Sequence, residues 1–182
     1  MIPEIRKHFN TLYTDEKYRN MLHFIESTYP GTLEFRIAET PVFFSKELTQ
    51  QLIEASEKMV DVITAPDFRE KTNRAIPANA FVPGPEGRPH YFAFDFGICT
   101  DENGKLVPRL IELQGFATLF GFQEFLGISY TKYFDIPEGF TMYFDGHDHN
   151  SYVKRLKEVI IGACAPEEVV LTKMATVKSL TD

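Results

Sequence analysis

Two strand-like runs, 90–99 and 107–114, flank the segment Asp101-Glu102-Asn103-Gly104-Lys105. Asn-Gly between such runs is the strongest short-range hairpin signal, because both residues tolerate the positive φ of a type I′ turn. Turn type and loop length fix register, and register decides which side chains share a face. With Asn103 and Gly104 as the two loop residues, Phe94 is expected to face Leu113, Phe96 to face Ile111, and Ile98 to face the stem of Arg109. His90, Phe92, Phe94, Phe96 and Ile98 then form one mostly apolar face directed at the core. On the other face Asp95 falls opposite Glu112, and Gln114 falls opposite Ala93.

The segments around this hairpin read as mostly helical. Thr14 is expected to cap a helix carrying Tyr18, Met21, Leu22 and Ile25 on one face, stopped by Tyr29-Pro30-Gly31. Leu33, Phe35 and Ile37 alternate with polar residues, which predicts a short strand. Ser45 is a cap for a second helix, in which Leu48, Leu52, Ala55, Met59 and Val62 recur at helical spacing until Ala65-Pro66. A short helix is expected over 67–75 and a Pro- and Gly-rich loop over 80–89. After the hairpin, 118–132 reads as a helix, 140–144 as a strand, and 151–162 as an amphipathic helix with Val153, Leu156, Val159 and Ile160 inward. A last strand is expected over 168–171, and the tail 172–182 has little pattern. The fold class is therefore α/β: a mixed or antiparallel sheet around the central hairpin at about 90–114, with packed helices, in a single domain 1–182.

Composition removes several function classes. A net charge of −7 argues against a nucleic-acid surface, which needs clustered Lys and Arg to displace counterions. No apolar run is long enough to span a membrane, and the start of the chain lacks the apolar stretch of a secretory signal. Cys99 and Cys164 have no metal-ligand spacing and suit a reducing, cytoplasmic setting. The aromatic content, 17 Phe and 8 Tyr without Trp, is accounted for by a core built on rings.

The chemistry sits on the polar face of the hairpin. Two carboxylates opposed across strands have Cβ atoms about 5 Å apart, and like charges so placed are destabilising. A shared proton, a nearby cation such as Arg88, Arg109 or Lys105, or a metal ion would relieve that repulsion. Asp95, Glu112 and the Gln114 amide oxygen together form a hard-oxygen donor set. Such a set suits Mg²⁺, or Mn²⁺, held by one or two carboxylates while phosphates complete its shell.

Phe94-Asp95-Phe96-Gly97-Ile98, the turn at Asn103-Gly104 and Leu110-Ile111-Glu112-Leu113-Gln114-Gly115 resemble the metal-binding hairpin of ATP-grasp ligases. That family carries an Asp on one strand and Glu-x-Asn on the return strand. Asp95 and Glu112 match directly, Gln114 stands for the Asn, and Ala93 stands where many members carry Arg. The residues before position 90 contain no Gly-rich phosphate loop. An early hairpin is similar to the circularly permuted branch that includes the glutathionylspermidine synthetases.

The resemblance implies ATP- and Mg²⁺-dependent joining of a small-molecule carboxylate to an amine through an acyl phosphate, with Asp95, Glu112 and Gln114 as metal ligands. It also implies that 1–182 is a fragment or shortened form of a larger two-lobed enzyme, inactive alone and inclined to form a homodimer through uncovered apolar surface. The alternative is a non-catalytic binding or self-association module. Catalytic and nucleotide-holding residues are not legible: Lys132, Lys154, Lys157 and Lys173 lie at no readable spacing. In Asp145-Gly146-His147-Asp148-His149-Asn150 the expectation is a capping turn rather than a zinc set, because no third spaced His or Cys completes one. Gln123 and Glu124 follow the hairpin and are expected either to face the site or to form a polar edge. His90 reads as a buried or rim histidine.

Overall fold

Capping chemistry places the helices where the sequence suggests. In the computed structural model, which describes residues 2–31, 35–81, 89–115 and 119–170, the first helix, α1 (Pro3–Leu12), begins with Pro3, whose missing N–H costs nothing at that position. The Thr14 hydroxyl accepts from the Lys17 amide to start α2 (Asp15–Thr28), and Ser45 accepts from Leu48 to start α3 (Lys46–Thr64). A short α4 (Phe68–Thr72) runs into a single 3-10 turn, Asn73–Ala75. The hairpin strands β1 (Ala93–Thr100) and β2 (Leu106–Gln114) follow, then α5 (Phe120–Tyr133) and α6 (His149–Ile161). The protein is thus a small α/β fold whose described sheet is one antiparallel hairpin. Among the described residues no helix is long and apolar enough to cross a membrane.

The chain divides into two compact units, 1–140 and 141–182. In the first, Phe9, Met21, Ile25, Ile37, Phe43, Tyr130 and Phe134 form the buried core. Helix α2 packs on α5, with the Phe24 ring 5.5 Å from Phe125 and 5.8 Å from Tyr133. Helix α3 lies instead along β2. Between them runs an open groove of about 520 Å³ lined by Ala55, Lys58, Met59, Val62, Ile63, Leu110 and Leu113. Val62, expected in the core, is 61% exposed at its rim. The described part of the second unit holds α6, where Val153 and Ile160 are exposed rather than inward.

Three predicted strands are corrected. Residues 35–37 are irregular, and Leu33 lies outside the described residues. Tyrosines take the carbonyls that a sheet neighbour would have used: the Tyr18 hydroxyl donates to the Ile37 carbonyl at 2.6 Å, and the Tyr130 hydroxyl donates to that of Ala38. The 140–144 segment is also irregular, with the Phe140 amide bonded back to Pro137 in a turn. The last strand, expected over 168–171, is also absent from the described residues: Glu168 closes a 3-10 turn, Pro166–Glu168, Val169 and Val170 are irregular, and Leu171 and the tail lie outside the described residues. The Pro-rich loop is described only at its margins, Ala80 closing a 3-10 turn.

Candidate functional site

The hairpin forms, but by a different turn. The Asp101 amide donates to the Lys105 carbonyl at 2.9 Å and the Gly104 amide donates to the Asp101 carbonyl at 3.0 Å. The loop therefore has three residues, 102–104, with Gly104 at φ 78° in the left-handed region that a three-residue loop requires at its last position. Asp101 selects it. Its Oδ1 accepts from the amides of Asn103 at 2.9 Å and Lys105 at 2.8 Å, a side-chain substitute for backbone turn bonds.

Pairing next to the turn is consequently one residue away from the two-residue expectation. Phe96 faces Leu110, Gly97 faces Arg109, and Ile98 faces Pro108. A β-bulge at Ile111 then absorbs one residue of β2. Beyond it the expected pairs appear: Asp95 with Glu112, Phe94 with Leu113, and Ala93 with Gln114. The turn and the bulge cancel, so the carboxylate pair stands where the sequence puts it, for a reason the Asn-Gly signal does not contain.

The two faces have opposite character. Phe92, Phe94 and Phe96 form a row, with ring centroids 6.1 and 6.4 Å apart, and Leu110 and Leu113 on the same face meet α3. On the other face Asp95 and Glu112 are exposed. Gln114 donates its amide Nε2 to Glu112 Oε1 at 2.8 Å. This leaves the amide oxygen, the second Glu112 oxygen and both Asp95 oxygens as acceptors toward solvent. Arg109 and Ile111 complete the face: Arg109 by its pairing with Gly97, and Ile111 by lying over Gly97, its Cδ1 3.5 Å from where a Cβ there would sit.

Of the cations that could neutralise the pair, Lys105 is committed elsewhere, to Glu47 at 3.0 Å. Arg88 lies outside the described residues. Arg109 shares the face, yet no ion pair joins it to either carboxylate among the described residues. The donors suit a hard divalent cation that needs few protein ligands. Two carboxylates and one amide oxygen leave the remaining positions to water or phosphate. Among the described residues no group of three or more His, Cys, Asp or Glu side chains forms a fuller metal cage.

Replacing Asp95 with Asn removes the like-charge opposition. The expected result, without added metal, is equal stability or a gain of about 0.2–1 kcal/mol in denaturant melts. A clear loss would mean that Asp95 has a stabilising cationic partner.

The other candidates resolve simply. Asp148 caps α6, its carboxylate accepting from the Ser151 amide at 2.8 Å, and that backbone hydrogen bond holds its pKa below the usual carboxylate value. His147 bonds Ser151 Oγ at 3.2 Å, within the same capping turn. Glu124 is buried and Gln123 exposed, and residues 116–118 between them and the hairpin lie outside the described residues. His90 precedes β1 in an exposed bend. Cys99 and Cys164 are free and exposed.

Sequence reasoning missed the place of Arg109 and Ile111 on the carboxylate face. The signal was present in Asp101, whose side chain favours the longer turn. Comparison of the chain with protein-family models, with curated proteins and with solved structures finds no match in any of the three.

Proposed function

We propose that the exposed face of the hairpin binds a divalent cation of the Mg²⁺ type, and through it the phosphates of ATP, as a carboxylate–amine ligase of the ATP-grasp kind does. The observation that carries this reading is the opposition of Asp95 and Glu112 on a solvent-facing strand pair, with Gln114 beside them. Asp95 and Glu112 would hold the ion and the Gln114 amide oxygen would complete the protein's share. When bound, the ion would screen the charge of a transferring phosphoryl group. The chain's own residues keep the site in order: the bulge fixes Glu112 opposite Asp95, and the Gln114 N–H orients the Glu112 carboxylate. In this reading the protein acts as a cytoplasmic ligase on small-molecule carboxylate and amine substrates.

A second reading, a non-catalytic self-association module, is favoured by the groove between α3 and β2, where Val62 and Leu110 are 61% and 44% exposed. One titration separates the two. Mn²⁺ or Mg²⁺ should raise the melting temperature of the wild type, by about 1.4 kcal/mol of stabilisation at a tenfold excess over Kd. Glu112→Ala should show no such rise. Equal shifts in both proteins would place the metal elsewhere, and no shift in either would leave the module reading standing.

A further inference from the structure

The two strands of the hairpin differ in what their outer edges offer. The Asp101 amide donates to the Lys105 carbonyl at 2.9 Å, so that pair is a hydrogen-bonded one. Antiparallel pairs alternate between bonded and non-bonded, so along β1 the backbone groups of Cys99, Gly97 and Asp95 point at β2. Those of Thr100, Ile98, Phe96 and Phe94 point away from it. Pro108 agrees: it has no N–H to give, and it stands opposite Ile98, in a pair that exchanges no bonds. Among the described residues no backbone hydrogen bond from another segment reaches these four outward positions. The outer edge of β2 is interrupted instead. Pro108 removes a donor there, the bulge at Ile111 shifts the alternation, and α3 lies along that strand. Proline and bulges are how sheets blunt an edge, and β1 has neither.

Strand β1 is also matched to itself. Ala93–Thr100 carries a single charged side chain, Asp95. Laid antiparallel against a second copy about a two-fold axis at Gly97, Phe94 meets the second copy's Thr100 and Phe96 meets the second copy's Ile98. All four outward residues of each strand then exchange hydrogen bonds. An axis at Phe96 leaves Thr100 without a partner, and an axis at Ile98 leaves Phe94 without one. An axis at Asp95 opposes two carboxylates, which is destabilising. With the axis at Gly97, Asp95 faces the second copy's Cys99 instead, the glycines bring no bulk, and Phe94, Phe96 and Ile98 of both copies join on one apolar face. We propose that the outer edge of β1 is a dimerisation edge, at which two copies of this chain join their hairpins into one four-stranded antiparallel sheet. The inference is independent of the metal reading, and it places self-association at a surface other than the groove between α3 and β2.

The test reads the full chain by analytical sedimentation and by cysteine cross-linking. Wild type should sediment as a dimer at micromolar concentration and dissociate on dilution. At the axis the two Gly97 residues form a non-hydrogen-bonded pair, with Cα atoms about 4.5 Å apart and within disulfide reach. A Cβ at Gly97 meets nothing closer than Ile111 Cδ1 at 3.5 Å, so cysteine fits there. In a Cys99→Ser, Cys164→Ser background under copper–phenanthroline, Gly97→Cys should link into a dimer on the order of tenfold faster than Glu102→Cys in the exposed turn. Ile98→Pro removes an outward N–H and leaves the bonds between β1 and β2 in place. It should keep the wild-type far-ultraviolet spectrum and sediment as a monomer. A wild type that stays monomeric up to millimolar concentration overturns the proposal. So does Gly97→Cys that links no faster than Glu102→Cys, a result that does not depend on the proline variant folding. A dimer that survives Ile98→Pro and is lost in Val62→Lys would move association to the groove between α3 and β2, and overturns it equally.

Discussion

Phe9→Ala is expected to lower the unfolding free energy by about 3–5 kcal/mol, the range for emptying a fully buried phenylalanine site. Phe9 is 2% exposed, and its ring centroid lies 5.8 Å from that of Phe43 and 5.2 Å from that of Phe134. It is the buried residue of α1, with the partly buried Ile5 packed against the same cluster. Ten residues are too few for a helix to persist in water by itself, so α1 depends on this docking. The helix entrance is tied to the same place, because the Ile2 amide donates to the Phe43 carbonyl at 2.9 Å. Removing the ring therefore opens a cavity against two aromatic neighbours and loosens a helix whose N-cap makes no side-chain bond. Urea denaturation followed by circular dichroism measures the change, with Phe144→Ala, at a position 54% exposed, as the control expected to stay near wild type. A loss for Phe9→Ala under about 1 kcal/mol would mean that the cluster is not the stability-determining core.

The second large effect concerns Tyr130. Its side chain is buried and its hydroxyl donates to the Ala38 carbonyl, in a segment with no strand neighbour to meet that acceptor. Tyr130→Phe leaves the carbonyl unsatisfied and should cost about 1–3 kcal/mol near neutral pH. Burial, with smaller contributions from Tyr18 and Glu39, pushes the phenol from 10.0 up to about 12. The folded protein therefore retains the proton more strongly than the unfolded chain. The contribution of Tyr130 is fully present below pH 10 and is lost as pH rises from there through about 12. Melts of wild type and Tyr130→Phe between pH 8 and 12 should show the gap constant at first and then closing. A gap that is unchanged across the whole range would mean that the hydroxyl titrates as it does in water.

Local chemistry with a single solution was legible from the residues, and chemistry set by distant neighbours was not. Thr14 and Ser45 cap the helices expected of them because a hydroxyl in that position bonds an amide three residues on, whatever surrounds it. Met21 and Ile25 are fully buried, as the helical spacing indicates. Val62 follows the same spacing yet lies open, since what α3 faces there is one face of a two-stranded sheet rather than a full layer. Phe35 and Ile37 alternate like a strand, but a strand needs a partner. Tyr18 and Tyr130, far away in sequence, supply the carbonyls' hydrogen bonds instead. The Asp95–Glu112 opposition was legible because the carboxylates lie beyond both irregularities of the hairpin. Arg109 lies between the turn and the bulge, where the Asn-Gly rule alone gives the wrong face.

The segment linking Asp95 to Glu112 contains one residue more than its ladder uses, and the surplus is lodged at Ile111. Were the surplus moved into β1–β2 pairing by a two-residue turn at Asn103-Gly104, the carboxylates would still oppose each other. Leu110 would then replace Arg109 at their side, and the row of side chains against α3 would lose Leu110. The two alignments are thus isomers with the same acidic pair and different company, one offering a guanidinium and the other a hydrocarbon. Asp101, by its two bonds to the turn amides, and the groove that receives Leu110 both favour the first. A substitution at Asp101, some 20 Å along the strand from the carboxylates at about 3.4 Å per residue, would act on the face as a change of partner and not as a loss of fold.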